Sequence, residues 1–267
     1  MKKRLITINS NDLPKSVETK NLFKKKLKEA GFEVSEEFSD DTELVVCVGG
    51  DGSFLKTVRD FDYPEVPIVG INTGHLGFFP EIVPDKIDEF IESYLNENYM
   101  IQEVPLLRAM ICTHKSCVNF FALNDVTIRG DKSRTVHLKL LVNGKKVENF
   151  SGDGMIICSQ TGSTAYTYSA GGSIIDCNID AIQLTPLSPI NTNAYRSFTS
   201  SIIFSKDTEI SIRPEYRFED SILIVIDGVE LRFKQITDIN ICTSDVKLKL
   251  LRLSDYEFWD RVSTKFL

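Results

Sequence analysis

A single tryptophan, three histidines and four methionines are spread through the 267 residues. The histidines, His75, His114 and His137, stand too far apart in sequence to suggest a metal cluster. Basic residues are outnumbered, 31 Lys plus Arg against 38 Asp plus Glu, for a net charge of −7. A surface of that sign disfavours non-specific attachment to nucleic acid or anionic membrane, so an anionic ligand must be held by a local cluster. No apolar run approaches the roughly 20 residues that span a bilayer. The opening MKKRLITINSND starts basic, but its apolar stretch falls short of the about 7–15 residues of a secretory signal, and a cytoplasmic location is expected.

Cys47, Cys112, Cys117, Cys158, Cys177 and Cys242 show no CxxC spacing, which argues against a zinc site or a disulfide framework. Several lie in apolar runs, and the cysteines are expected to be buried, reduced thiols. Equally absent are the GxxxxGK[ST] phosphate loop, a GxGxxG after a strand, HExxH and GxSxG.

What is present is a chain with 42% apolar residues, long enough to bury about three quarters of its unfolded surface. The first hundred residues alternate strand and helix signals. Arg4–Ile8 is a short β-branched run. Asn11–Asp12 and Pro14 then supply a cap and a first-turn proline for a helix reaching Ala30–Gly31. Leu44–Val48 is an unbroken apolar run, as expected of a strand covered on both faces of a parallel sheet. Glycines follow at once, then a helical pattern over Ser53–Phe61. Val66–Ile71 is another such strand, and Ile87, Phe90, Ile91, Tyr94 and Leu95 recur at helical spacing after Pro84. These β-then-α units predict a small doubly wound α/β domain over residues 1–100.

From about residue 101 short strands and tight turns take over. Val136–Val142, Asn143–Gly144 and Lys145–Glu148 read as a hairpin, because Asn-Gly accepts the positive φ of a type I′ turn. Ser221–Ile226, Asp227–Gly228 and Val229–Phe233 read as a second. Ile236–Cys242 and Val246–Leu253 continue a β-rich domain over 101–253, interrupted by a helix near Ser163–Ala170. In the tail, 254–267, Phe258, Val262 and Phe266 fall on one helical face, which predicts an amphipathic helix docked on the body or, alternatively, at a subunit interface.

The sharpest chemical feature is Gly49–Gly50–Asp51–Gly52, lodged between a buried strand and a helix. Glycines there admit a ligand close to the backbone, and the helix N-terminus offers N–H groups to an anion. Asp51 has the wrong charge for gripping phosphate alone. It suits a general base, or a carboxylate holding Mg²⁺ beside phosphate, and equally a tight turn whose Asp caps the helix. A second region is denser: Gly152–Asp153–Gly154, Ser159–Gln160–Thr161–Gly162–Ser163–Thr164–Ala165–Tyr166 and Ser169–Ala170–Gly171–Gly172. Small residues and hydroxyls around a helix start make a phosphate-friendly concavity, and Tyr166 can stack on a base. These features point to a phosphorylated ligand, with phosphoryl transfer as the leading chemistry and a non-enzymatic nucleotide sensor as the alternative.

At these motifs the sequence resembles the ATP- or polyphosphate-dependent NAD kinases. The likeness is carried by VGGDGSFL (48–55), GINTGHLGFF (70–79), ALNDVT (122–127), GDGMI (152–156), TGSTAYTYSAGG (161–172) and FWDRV (258–262). GGDG alone is shared with lipid kinases and phosphofructokinases; together with TGSTAY and NTGHLGF it is specific. Spacing and length look like the short Gram-positive bacterial branch. The resemblance implies phosphorylation of the adenosine ribose 2′-hydroxyl of NAD, giving NADP, with ATP or polyphosphate as donor and Mg²⁺ or another divalent cation. It further implies an N-terminal Rossmann-like α/β domain, a β-rich C-terminal NAD-binding domain through which homodimers or homotetramers assemble, and a tail packed back on the first domain.

By the same resemblance, Asp51 is the residue that activates the 2′-hydroxyl, with Gly50 and Gly52 giving backbone access. Phe78 and Leu76 line the adenine side. Asn124 and Asp125 match the family's Asn-Glu pair, Asp125 being one methylene shorter than the usual Glu. Thr164, Ala165, Tyr166 and Ser169 match the segment holding adenine and the ribose–nicotinamide portion. Asp153 matches an acidic position that approaches ligand from a neighbouring subunit, and Ser188, Ile190 and Asp227 align with the pocket wall. Gln160 stands where Pro often precedes the Thr-Gly-Ser-Thr run. Gly49, Gly50, Lys56 and Arg129 are candidates for the donor phosphates, with Arg59, Lys132 and Arg134 nearby in sequence. Competing readings are a lipid kinase sharing GGDG, a sugar-phosphate kinase, and a catalytically silent NAD(P) sensor.

Overall fold

The computed structural model describes residues 4–192, 196–216 and 222–267. The chain opens with β1 (Leu5–Ser10), α1 (Pro14–Glu29), β2 (Glu33–Ser35) and β3 (Thr42–Gly49). Next come α2 (Asp51–Asp60), β4 (Ile68–Asn72), β5 (Pro80–Ile82) and α3 (Ile87–Leu95). Strands then dominate: β6 (Tyr99–Thr113), β7 (Cys117–Ala122), β8 (Asp125–Gly130), β9 (Val136–Val142), β10 (Lys145–Gly152) and β11 (Gly154–Cys158). After the short α4 (Tyr166–Ser169) follow β12 (Ala181–Leu187), β13 (Ile202–Ser205) and β14 (Ile210–Pro214). The chain closes with β15 (Ile222–Ile226), β16 (Val229–Arg232), β17 (Ile236–Leu253) and α5 (Phe258–Phe266).

Two compact units result, residues 1–104 with 247–267, and residues 105–246. The chain leaves the first within β6 and re-enters it within β17. In the first unit β2, β1, β3 and β4 lie side by side and parallel, and β4 also takes parallel partners in β5 and β17. β3 is buried almost throughout, as its unbroken apolar run requires of a strand covered on both faces. The core gathers Ile6, Ile8, Leu44, Val46, Val48, Val69 and Ile71 from the sheet with Phe23, Leu27, Phe90 and Ile91 from α1 and α3. Gly70 is needed at its position: a Cβ would lie 2.6 Å from the Pro80 Cα of the neighbouring strand.

The second unit holds a six-stranded antiparallel sheet, β13-β12-β11-β8-β15-β16, and an antiparallel run β10-β9-β14-β17. Their apolar faces share one core in which Leu138, Leu140 and Phe150 meet Met155, Ile157, Leu184, Ile212 and Ile224. Both hairpin turns take positive φ at their two central residues, Asn143 (49°) with Gly144 (75°) and Asp227 (45°) with Gly228 (81°). Ser221, expected to start the second hairpin, lies outside the described residues.

Several expectations are corrected. Asn11 and Asp12 do not cap α1: its N-cap is Leu13, with no side-chain bond, while Asn11 Oδ1 instead accepts the Leu13 N–H at 3.2 Å. The helix expected over Ser163–Ala170 is a 3₁₀ turn (Thr161–Thr164) and a single α turn, broken at Ala165 where ψ is −133°. The two strands expected over 236–253 are one, because no residue between Cys242 and Val246 interrupts extended backbone. Cys112 and Cys117 are not reduced thiols but a disulfide. The β6–β7 hairpin sets them directly opposite, with Cα atoms 4.0 Å apart, a pairing that the four intervening residues alone do not reveal. Cys47 and Cys158 are buried free thiols, as expected, whereas Cys177 and Cys242 are half-buried.

Candidate functional site

In the first unit the chemistry collects at the carboxyl end of β3. Gly50 caps α2 with extended backbone, which makes Asp51 its first residue. A carboxylate there complements the partial positive charge of the helix N-terminus. Its side chain does not cap its own helix. Asp51 Oδ1 accepts the Phe78 N–H at 2.9 Å and the Phe79 N–H at 3.0 Å, and Oδ2 shares the Phe78 N–H at 3.2 Å and takes a 3.3 Å contact from Lys265 Nζ. Gly77 makes this reach possible, since a Cβ there would sit 2.4 Å from Asp51 Oδ1.

The Gly77–Glu81 strip that donates these amides is gripped from its carbonyl side. Arg252 Nη1 donates to Phe78 O (3.4 Å), Phe79 O (3.5 Å) and Glu81 Oε2 (3.0 Å), and this guanidinium–carboxylate pair is buried. Arg261 of α5 donates to Gly77 O at 3.1 Å and, more loosely, to Pro80 O and Glu81 O. Burial lowers the Arg261 pKa, opposed by the nearby Glu81 carboxylate. The predicted amphipathic face of the tail is real: Val262 is buried, and the Phe258 and Phe266 rings lie 6.1 and 5.8 Å from that of Phe78. Phe78 is thereby covered by protein, while Leu76 is exposed. Space beside Gly50 and Gly52 is open, so ligand can approach the backbone there. Gly49 is packed against Ser53, and Lys56 is paired with Asp60 at 2.6 Å.

In the second unit the structure brings together residues about a hundred positions apart. The Asp227 carboxylate, on the β15–β16 turn, accepts N–H groups from Leu123 (2.7 Å), Asn124 (2.8 Å) and Asp125 (3.1 Å). The Ser159–Thr164 turn is stitched to the same strip, with Ser159 Oγ and Thr161 Oγ1 donating to Leu123 O at 2.6 and 2.7 Å. Gly162 lies so close that a Cβ would come 2.1 Å from Asn124 O. Asn124 Oδ1 is buried there with no hydrogen-bond partner, an acceptor costly to leave empty. Asp125 is also buried. Desolvation, then the neighbouring Asp227 charge, push its pKa up to about 7, opposed by the Thr127 hydroxyl.

A cavity of about 270 Å³ in this unit is lined by Arg129, Arg134, Asp153, Tyr166 and Ser188 among others. Arg129 stands on β8 and is exposed. Tyr166 and Ile190 are exposed apolar surface; Thr164 is buried, Ala165 half-buried, and Ser169 exposed. Sequence reasoning missed Lys265, Arg252 and Glu81 altogether. Arg261 lay within the FWDRV signal but without a role. No group of three or more His, Cys, Asp or Glu among the described residues is arranged to hold a metal ion, so these residues do not form a protein cage for the divalent cation that the resemblance implies.

A glycine turn at the exit of a parallel sheet, an acceptor carboxylate held there, and a β-rich unit presenting an empty amide oxygen define a phosphotransferase-like nucleotide-binding protein. Residues 1–99 match the family model of the ATP-NAD kinase N-terminal domain, and residues 123–253 that of the C-terminal domain. The chain belongs to the NAD kinase family, whose reaction is the phosphorylation of NAD to NADP. It is 36% identical to the NAD kinase of Finegoldia magna over 99% of this chain and 98% of that one. With the NAD kinase of Staphylococcus aureus the identity is 30%, covering 86% and 87%. The fold is shared with a yeast NADH kinase solved with NADH, at a TM-score of 0.85 and 19% identity, covering 98% of this chain and 86% of that one. An Archaeoglobus fulgidus NAD kinase solved with ATP has a TM-score of 0.75 and 22% identity, covering 98% and 97%.

Proposed function

We propose that this chain transfers the terminal phosphoryl group of ATP to the adenosine ribose 2′-hydroxyl of NAD, with Asp51 as general base. The observation that carries the reading is the geometry of that carboxylate. Two backbone N–H groups fix Oδ1, while Oδ2 shares the Phe78 N–H at 3.2 Å and meets Lys265 Nζ at 3.3 Å. An oxygen so held is oriented to take a proton from a hydroxyl about 2.6–3.2 Å away. Gly50 and Gly52 leave room for donor phosphates at the start of α2.

For the dinucleotide, Asn124 Oδ1 is the acceptor that a ribose hydroxyl or an adenine amino group would satisfy. Asp227 acts behind it, its carboxylate consumed by the amides of Leu123–Asp125. Tyr166 offers an exposed ring for stacking, and Thr164, Ala165, Ser169, Ser188, Ile190 and Asp153 complete the proposed NAD contacts. Arg129 is a candidate for a phosphate; Lys56, tied to Asp60, is the weaker one. Phosphoryl transfer asks mainly for positioning and charge stabilisation, which these groups supply. No step of this reading runs through a protein-bound metal. Assembly through the β-rich unit and a cytoplasmic location remain part of the proposal.

The test is a turnover assay crossing NAD and NADH with ATP and polyphosphate in the presence of Mg²⁺. NADP formed from NAD and ATP is the expected result. NAD binding without NADP formation from either donor would favour the silent sensor.

A further inference from the structure

Resting on the reading of Asp51 as the base, we propose that Lys265 is a further catalytic residue, the cation that binds and neutralises the phosphoryl group in transfer. In an acidic chain without a phosphate-loop lysine, positive charge at the reacting atoms must come from somewhere specific. The other cations near Asp51 in the first unit are committed. Arg252 and Arg261 are spent on the carbonyls of Gly77–Glu81 and on Glu81 itself, and Lys56 on Asp60. Among the described residues, Lys265 is the cation within 4 Å of the Asp51 carboxylate.

It arrives on the last turn of α5, 214 positions along the chain, its ammonium also 4.9 Å from the centre of the Phe78 ring. The helix is anchored by Phe258, Val262 and Phe266, so the ammonium is delivered by a packed element and not by a free tail. Both side chains keep about 30% of their surface open to solvent, so the pair can admit a third group.

Of the two carboxylate oxygens Oδ2 is held less tightly by the amides, by the 3.2 Å arm of the Phe78 N–H alone, so the reacting hydroxyl binds the oxygen that Lys265 touches. Two partners of one carboxylate oxygen lie roughly 5 Å apart, which puts the ammonium within reach of oxygens on a phosphorus approaching that hydroxyl. In the step, the 2′ oxygen forms a bond to the donor's terminal phosphorus and its proton passes to Asp51. The bond from that phosphorus to the donor's bridging oxygen breaks, its electron pair leaving on the shortened donor. Lys265 moves from the carboxylate it loses as a partner, once protonated, to the phosphoryl oxygens that carry the charge.

A bland alternative is a partly exposed ion pair that pins the end of α5, and such pairs contribute little to stability. That small contribution is useful, because Lys265→Met should fold. The experiment compares Lys265→Met and Lys265→Arg with the wild type in kcat, donor KM, NAD affinity by calorimetry and Tm. For the Met variant, kcat should fall about ten- to a hundredfold and donor KM rise, with NAD affinity and Tm unchanged. The Arg variant should recover most of the loss. A Met variant within threefold of wild-type kcat overturns the proposal. So does a loss that tracks Tm or NAD affinity and that Arg fails to rescue, which would make Lys265 a structural residue. A wild type that makes no NADP from either donor would instead remove the reading of Asp51, and this inference with it.

Discussion

Asp125 carries a marked electrostatic tension. Burial and the Asp227 charge raise its pKa from 3.8 to about 7, so the folded state favours its protonated form. A folded pKa above the unfolded one contributes stability at acid pH that is lost as pH rises through the folded value. The window here runs from about pH 4 to pH 7. Replacing Asp125 by Asn removes the penalty, so the variant's Tm should gain on that of the wild type as pH rises from 5 to 8. Parallel melting curves for the two proteins across that range would refute this assignment. At the same scale, the candidate site was only half legible in sequence. GGDG marks Asp51 because a glycine turn after a buried strand is a local pattern. Its partners at Phe78, Phe79 and Lys265 are set by tertiary folding, which no spacing rule reports. Asp227 aligns with the pocket wall by resemblance, yet its three amide bonds show it holding the strip that bears Asn124.

Helix α5 and the Gly77–Glu81 strip form one mechanical piece. Arg261 bonds the strip's carbonyls while the strip's amides hold Asp51, so a change on the helix should be felt at the carboxylate. Arg261→Ala leaves buried carbonyls with fewer partners and should cost about 1–3 kcal/mol of stability. It should also lower kcat more than it weakens NAD binding, checked by denaturant unfolding alongside steady-state kinetics. Loss of stability with unchanged kcat would show that the helix supports the fold alone. Elements with strong local signals were legible: the apolar run of β3, the positive-φ turns at Asn143–Gly144 and Asp227–Gly228, and the amphipathic face of α5. The break at Ala165 was not, because the hydroxyls of Ser159, Thr161 and Ser163 bond to backbone carbonyls and shape the turn against simple helical periodicity.

At the level of the whole chain, the alternation of β and α followed by β-rich texture was enough to predict both fold types. That texture could not disclose the return of residues 247–267 to the first unit, which only the resemblance implied, and for the 254–267 tail alone; the return puts Arg252, Arg261 and Lys265 beside a motif near residue 50. Nor could it disclose the Cys112–Cys117 link, visible only once β6 and β7 are paired. The denatured, unreduced protein should therefore titrate four thiols, Cys47, Cys158, Cys177 and Cys242, and six after reduction. Six before reduction would exclude the bridge. The central claim, that a carboxylate at the end of β3 deprotonates the acceptor sugar, is tested most directly by Asp51→Asn. The amide oxygen can still accept the Phe78 and Phe79 N–H groups, so fold and NAD affinity should be kept. Without a base, kcat should drop by about 10²–10⁴. A variant that folds, binds NAD and turns over within a few-fold of wild type would contradict the account.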